Sequence, residues 1–305
     1  MISYRYHLVS IIGIFLAVAL GVVIGTSALN GAVVGDLHRQ VSDLKKSNAD
    51  NANQNRALQA QAGNADLLAQ TFGSKIAGSA LAKTPVVLVG APGATKSMKD
   101  AVAAQITAAG GTVASQLQLS SDFDNPSRAN DIQSLATSGV HPIGLHLPVT
   151  DNAGLLAGAL LGYVLLGHGQ ATDLTQVLAG FSTLNMIKTE GSTATAGKAL
   201  VLVTSGGLAK ADPAGAMLVS FATEVATLGG PTVLAGDPAA ATATGLVGLV
   251  RGNDAAKKAL STVDNASTAL GQLTVVLTLA DAMAGRKGNY GVAAGADALL
   301  PGTSN

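Results

Sequence analysis

The chain has 305 residues, no net charge, 12% charged and 3% aromatic side chains, and neither tryptophan nor cysteine. Zero net charge gives no support to nucleic-acid binding, and the missing cysteines exclude disulfides, thiolate metal sites, cysteine nucleophiles and iron–sulfur clusters. With about seventy N-terminal residues set aside, the remainder is long enough for one large domain or two small ones, with cores built from Ala, Gly, Val and Leu.

From Leu8 to Ala28 the sequence has no Asp, Glu, Lys, Arg, Asn or Gln. Roughly twenty such residues, at about 1.5 Å each, cross a hydrocarbon core of about 30 Å. Residues 1–30 are therefore read as a retained transmembrane signal anchor. A cleaved signal peptide competes, because Arg5 supplies a basic start and Thr26-Ser27-Ala28 a small-residue cleavage site. Against it, the apolar region of a signal peptide stops near about 15 residues. Gly13, Gly21 and Gly25 fall four or eight apart, a small-residue face suited to helix packing.

Residues 31–70 read as a coiled-coil stalk. Val34, Leu37, Val41, Leu44, Asn48, Asn51, Asn55, Leu58, Ala62 and Ala65 alternate intervals of three and four, the a and d positions of a heptad. The three asparagines weaken the seam while fixing its register. One expectation is a parallel dimer or trimer joined through Gly21, Gly25, Leu37, Val41 and Leu44. The other is a single amphipathic helix packed on its own domain.

Residues 71–285 read as an α/β domain. Thr71 to Thr84 suggests a short helix and connector, loosened at Gly73 and Gly78 and stopped by Pro85. Val86-Val87-Leu88-Val89 is a buried parallel strand by its continuous apolar run. A helix from Lys96 to Ala109 with Met98, Val102 and Ile106 on one face follows, then Gly110-Gly111 and a strand from Thr112 to Leu119. The order repeats as a strand from Ala199 to Val203, a helix from Pro213 to Leu228, Gly229-Gly230 and a strand from Thr232 to Ala235. Two such βαβ units predict a mostly parallel sheet with helices on both faces.

Between them lie a polar segment from Ser120 to Asp131, a helix to Thr137, and an apolar helix from Ala153 to Leu166 with Gly154, Gly158 and Gly162. The last is too short to span a bilayer and is expected to pack on the sheet through its glycines, with a re-entrant or pore-lining segment as the alternative. Asp254 to Leu260 and a helix from Ser267 to Ala284 follow, and residues 286–305 are expected to form a flexible tail.

Three groups of residues are candidates for chemistry. Gly90-Ala91-Pro92-Gly93-Ala94-Thr95-Lys96-Ser97 comes within one residue of a phosphate-binding loop, but Thr95 stands where glycine should precede the lysine and Pro92 lacks an N–H. Ser205-Gly206-Gly207 is the nearest approach to a nucleophile elbow, with no glycine two residues before the serine. His7, His38, His141, His146 and His168 show no chelating pattern, and Met1, Met98, Met186, Met217 and Met283 do not cluster. No catalytic or cofactor-binding residue is assigned, metal ligands stay unknown, and an enzyme is not expected.

Met1-Ile2-Ser3-Tyr4-Arg5-Tyr6-His7-Leu8-Val9-Ser10 and the run Phe15 to Gly25 resemble the actinobacterial copper transporter (MctB) family. So do the Asn-rich stalk, Ala109-Gly110-Gly111-Thr112-Val113, Ser261-Thr262-Val263-Asp264-Asn265 and Gly288-Asn289-Tyr290-Gly291. The resemblance implies a cell-envelope protein linked to copper efflux or copper homeostasis, described for the family as an outer-membrane channel, with copper as transported substrate and the domain outside the cytoplasm. A non-transporting envelope scaffold that binds a partner protein or the cell wall is the alternative. Charge counting opposes the external domain: Arg5 precedes the apolar run, whereas Arg39, Lys45 and Lys46 follow it.

Overall fold

The computed structural model describes residues 4–137, 141–191, 193–208 and 213–302, without the side chains of 4–5 and 27–34. The readings made at the side chains of Arg5, Ser27, Ala28 and Val34 thus lie outside the described residues. Two compact units divide at Asn64 and Ala65.

One helix, α1, runs for 74 residues from Tyr4 to Ala77. Gly73 does not loosen it. The residue is buried, and a Cβ there would make only an ordinary contact, 3.9 Å from Leu273 Cδ2. The helix ends at Gly78, whose φ of +50° is a left-handed conformation that glycine adopts without a side-chain penalty.

The second unit is doubly wound. Its strands are β1 (Pro85–Gly90), β2 (Thr112–Leu119), β3 (Ile187–Glu190), β4 (Ala199–Val203), β5 (Thr232–Ala235), β6 (Ser261–Val263) and β7 (Asn289–Tyr290). They form one sheet in the order β3-β2-β1-β4-β5-β6-β7. All pairs are parallel except β2 with β3. The two expected βαβ units lie side by side, β1 against β4, and wind outward in opposite directions.

Alternation along the strands separates two cores. Val87, Val89, Leu200, Leu202 and Leu234 face α4 (Ala153–Leu165), α5 (Ala171–Thr183) and α6 (Ala214–Thr227). Val86, Leu88, Val201, Val203 and Val233 face α2 (Lys96–Ala108), α9 (Ala269–Met283) and the last turn of α1. Both faces are covered, which is why these strands read as unbroken apolar runs. Phe123, 5.1 Å from Phe221 and 6.2 Å from Phe181 between ring centres, supplies most of the aromatic packing on the first face.

Three further expectations need correction. The glycines of α4 face α6 rather than the sheet: a Cβ on Gly154 would stand 2.3 Å from the Met217 carbonyl oxygen, and one on Gly158 2.9 Å from that of Phe221. Helix α5, strand β3 and the short helices α7 (Leu246–Arg251) and α8 (Asp254–Ala259) subdivide stretches read as connectors or left unassigned, α8 within the segment Asp254 to Leu260 that had no element type. Finally, the segment from 286 does not fray at its start. It carries β7, and Asn289 donates to Asp297 through both N (2.8 Å) and Nδ2 (3.0 Å).

Candidate functional site

In a doubly wound sheet the carboxyl ends of the two central, oppositely wound strands part to form a crevice where ligands bind. Here those strands are β1 and β4, so two loops singled out for unrelated reasons meet: Ala91–Thr95 after β1 and Thr204–Gly207 after β4. Ala91 N donates to the Val203 carbonyl at 2.7 Å, and Thr95 N to Ser205 Oγ at 3.3 Å. Gly93 and Gly206 take φ of +81° and +70°, which lets both loops turn sharply. Asp237, just past β5, accepts from Gly206 N at 3.0 Å and from Ala240 N at 2.8 Å, pinning the β4 loop to the β5 loop.

Side chains of the protein fill the floor beneath β1. Gln118 Nε2 donates to the Ala91 carbonyl at 2.9 Å, and a Cβ on Gly90 would lie 2.3 Å from Gln118 Oε1 and 2.8 Å from Lys99 Cδ. Lys99 is itself buried and reaches Glu190 on β3 at 2.8 Å. The lysine of the phosphate-loop reading, Lys96, pairs with Asp100 one turn along α2 at 2.7 Å. That hydrogen bond raises the Lys96 pKa and lowers that of Asp100. Gly90 is therefore present for packing against Gln118 and Lys99, and Lys96 is engaged on the helix surface. The sequence spacing alone concealed both facts.

The histidines are dispersed. The His168 ring lies 5.5 Å from that of Tyr163, whose hydroxyl donates to the Ile143 carbonyl at 3.2 Å; His141 and His146 sit on the loop that follows α3 (Ala129–Thr137). Ser205 Oγ receives the Thr95 N–H. Among the described residues no three His, Asp or Glu side chains are grouped to hold a metal ion.

The other functional feature is the first third of α1. Tyr6–Thr26 is 21 residues of apolar helix, about 31 Å long at 1.5 Å per residue, with its apolar side chains exposed. The Thr26 hydroxyl is satisfied by the Val22 carbonyl at 2.8 Å, so it adds no unpaired polar group to the run. A Cβ on Gly13, Gly21 or Gly25 would meet no atom within 4 Å, leaving that face of the helix open. Further along, Leu37, Val41 and Leu44 are exposed as well.

A doubly wound α/β domain, together with a long helix whose first part is apolar and of membrane-spanning length, defines a class: α/β proteins that carry an N-terminal helix long and apolar enough to cross a membrane. Within that class the chain belongs to the family described as copper transport outer membrane protein, MctB, whose sequence profile matches residues 1–301. The copper transporter MctB of Mycobacterium tuberculosis (strain ATCC 25618 / H37Rv) is 31% identical over 97% of this chain and 98% of its own length. That of Mycobacterium leprae (strain TN) is 30% identical over 98% and 99%.

Proposed function

We propose that the chain is a membrane-anchored cell-envelope protein that serves copper efflux or copper homeostasis, as a channel subunit or a component of an efflux assembly, with copper as cargo. The observation that carries this reading is the family match across residues 1–301. Among the described residues one helix is long and apolar enough to span, and a lone helix encloses no lumen; the strands described are short and covered by helices on both faces, unlike the antiparallel strands of about ten residues in a membrane barrel. Conduction by this chain therefore calls for several copies or a second protein. Self-association through Gly21, Gly25, Leu37, Val41 and Leu44 belongs to the same reading, which invokes no cofactor, no nucleic acid and no catalysis.

Deleting the gene is expected to raise cell-associated copper after copper exposure, with wild-type content restored by complementation. Unaltered copper with altered cell-wall staining or cell separation would instead favour the scaffold reading. What supports that second reading is the dispersal of the histidines and the lack of a metal-holding group among the described residues.

We place the α/β domain outside the cytoplasm. Lys45 and Lys46 lie roughly 25 Å along the helix from Ala28 at 1.5 Å per residue, which dilutes their weight in the charge rule and leaves Arg5 and Arg39 nearly balanced. Ser182, on the exposed side of α5, offers a site for a single cysteine in this cysteine-free chain. Ser182→Cys should react with a membrane-impermeant maleimide in intact cells whose outer layer has been permeabilised. Labelling seen only after lysis would put the domain in the cytoplasm and end the export reading.

A further inference from the structure

The α/β unit carries an open apolar groove of about 630 Å³ between the last turns of α1 and the outer side of α9. It is lined by Leu68, Phe72 and Ile76 from α1, by Leu270 and Leu277 from α9, and by Leu300 from the C-terminal segment. Among the described residues Lys75 is the single charged side chain lining it. On α1 the face toward its own domain is made by Ala69, Gly73 and Ala77, which are buried, and by Asp66, whose carboxylate receives the Leu270 N–H at 3.1 Å. Leu68, Phe72 and Ile76 stand beside that face and remain 60%, 46% and 58% exposed.

The spacing of these residues points to an occupant. The intervals of three and four that begin in the stalk do not stop at Ala65: Ala69, Phe72 and Ile76 continue them in the same phase, Ala69 covered by its own domain and Phe72, at the position equivalent to Leu37, Leu44 and Leu58, exposed with Ile76. In sequence phase the seam positions beyond Ala65 therefore include Phe72 and Ile76, which line the groove beside α9.

Area supports the same occupant. Each of the three exposed side chains offers roughly 100 Å² of apolar surface. Two copies together stay below the roughly 1,000 Å² that a stable interface buries. The groove contact needs a partner already held elsewhere, which the stalk provides and a short free peptide lacks.

We propose that this groove is the seat of the same segment, Ala65–Ile76, of a second copy of the chain in parallel register, so that the interface begun in the stalk ends on the α/β domain. The proposal rests on the reading of the stalk as a self-associating seam.

Disulfide trapping in the full-length protein in detergent micelles tests it, one cysteine at a time, with diamide as oxidant. Leu44→Cys reports the stalk, Phe72→Cys the groove, and Ser74→Cys an exposed position off the seam. Leu44→Cys and Phe72→Cys should form dimers at similar rates. Ser74→Cys should be roughly tenfold slower or more, because Cα atoms farther apart than about 7 Å do not bridge. Dimers from Leu44→Cys without any from Phe72→Cys would overturn the groove proposal and leave the stalk reading standing; dimers from neither would remove both. A Phe72→Cys that stays monomeric yet is shielded from a soluble maleimide would overturn the proposal in favour of a bound acyl chain or detergent. Ile76→Cys, the next seam position, repeats the measurement should Phe72→Cys fold poorly.

Discussion

Replacing Arg251 with methionine is expected to destabilise the α/β unit by about 3–5 kcal/mol, because it strands a buried carboxylate. Arg251 ends α7 with its side chain 6% exposed, and its partner Asp264, just past β6, is fully buried. The guanidinium donates to Asp264 Oδ2 at 2.7 Å, to Thr262 Oγ1 at 2.9 Å and to the Tyr290 carbonyl at 2.9 Å. Asp264 Oδ1 in turn accepts from Val292 N at 2.7 Å and from Ala293 N at 3.1 Å. One ion pair thus joins α7, β6, β7 and the C-terminal segment. The double variant Arg251→Met with Asp264→Asn should recover at least half of the loss, since an amide oxygen can still accept from the backbone without a stranded charge. Urea unfolding measures the energies. Hydrogen exchange at Gly291, Val292 and Ala293 shows whether the C-terminal segment is released first. A midpoint unchanged in the single variant would mean that water reaches Asp264.

This network marks the limit of what could be read in the sequence. The pairing of Arg251 with Asp264 joins residues that no periodicity connects, so a glycine-rich composition from Gly285 onward suggested fraying where polar contacts hold the chain. By contrast, β1, α2 and β2 were legible to within a residue at each end, because a strand buried on both faces is a run of aliphatics and Gly110-Gly111 ends the helix between them. Strand β3 was missed for the opposite physical reason. It is a four-residue antiparallel edge carrying Lys188 and Glu190, and edges are short and charged. Helix α5 left a signal that went unused, the Asp173 carboxylate three residues after Gln170 that accepts the Gln170 N–H at 2.8 Å.

The candidate site was legible in pieces. The loops at Gly90 and Ser205 stood out in the sequence, but their meeting at the carboxyl ends of β1 and β4 depends on strand order. The phase that the groove proposal uses is in the sequence: Phe72 and Ile76 follow Leu37 at heptad intervals, beyond the end given to the stalk at residue 70.

Gly154→Ala and Gly63→Ala, the same chemical change on two helices, should move stability in opposite directions. In an exposed helix alanine is favoured over glycine by up to about 1 kcal/mol, because glycine has more backbone freedom to lose. Gly63 lies in α1 with no atom within 4 Å of a Cβ built on it, so Gly63→Ala should gain roughly that amount, seen as slower hydrogen exchange through residues 60–66. Gly154 has the same propensity to gain but no room. Its Cβ would lie 2.3 Å from the Met217 carbonyl oxygen and 2.9 Å from Ser220 Cβ, and a backbone oxygen inside α6 cannot swing away as a flexible side chain can. Helices α4 and α6 would have to separate along a contact that also depends on Gly158 and Gly162, where a Cβ would meet Glu224 Cβ at 2.7 Å and Leu228 Cδ1 at 2.8 Å. Overpacking of this kind costs about 1–3 kcal/mol and exceeds the propensity gain. In a unit of this size each kcal/mol lowers the melting temperature by about 2–4 °C, so Gly154→Ala should melt several degrees below the parent. A melting temperature that rises with Gly154→Ala would mean that α4 and α6 sit farther apart than their glycine contact requires.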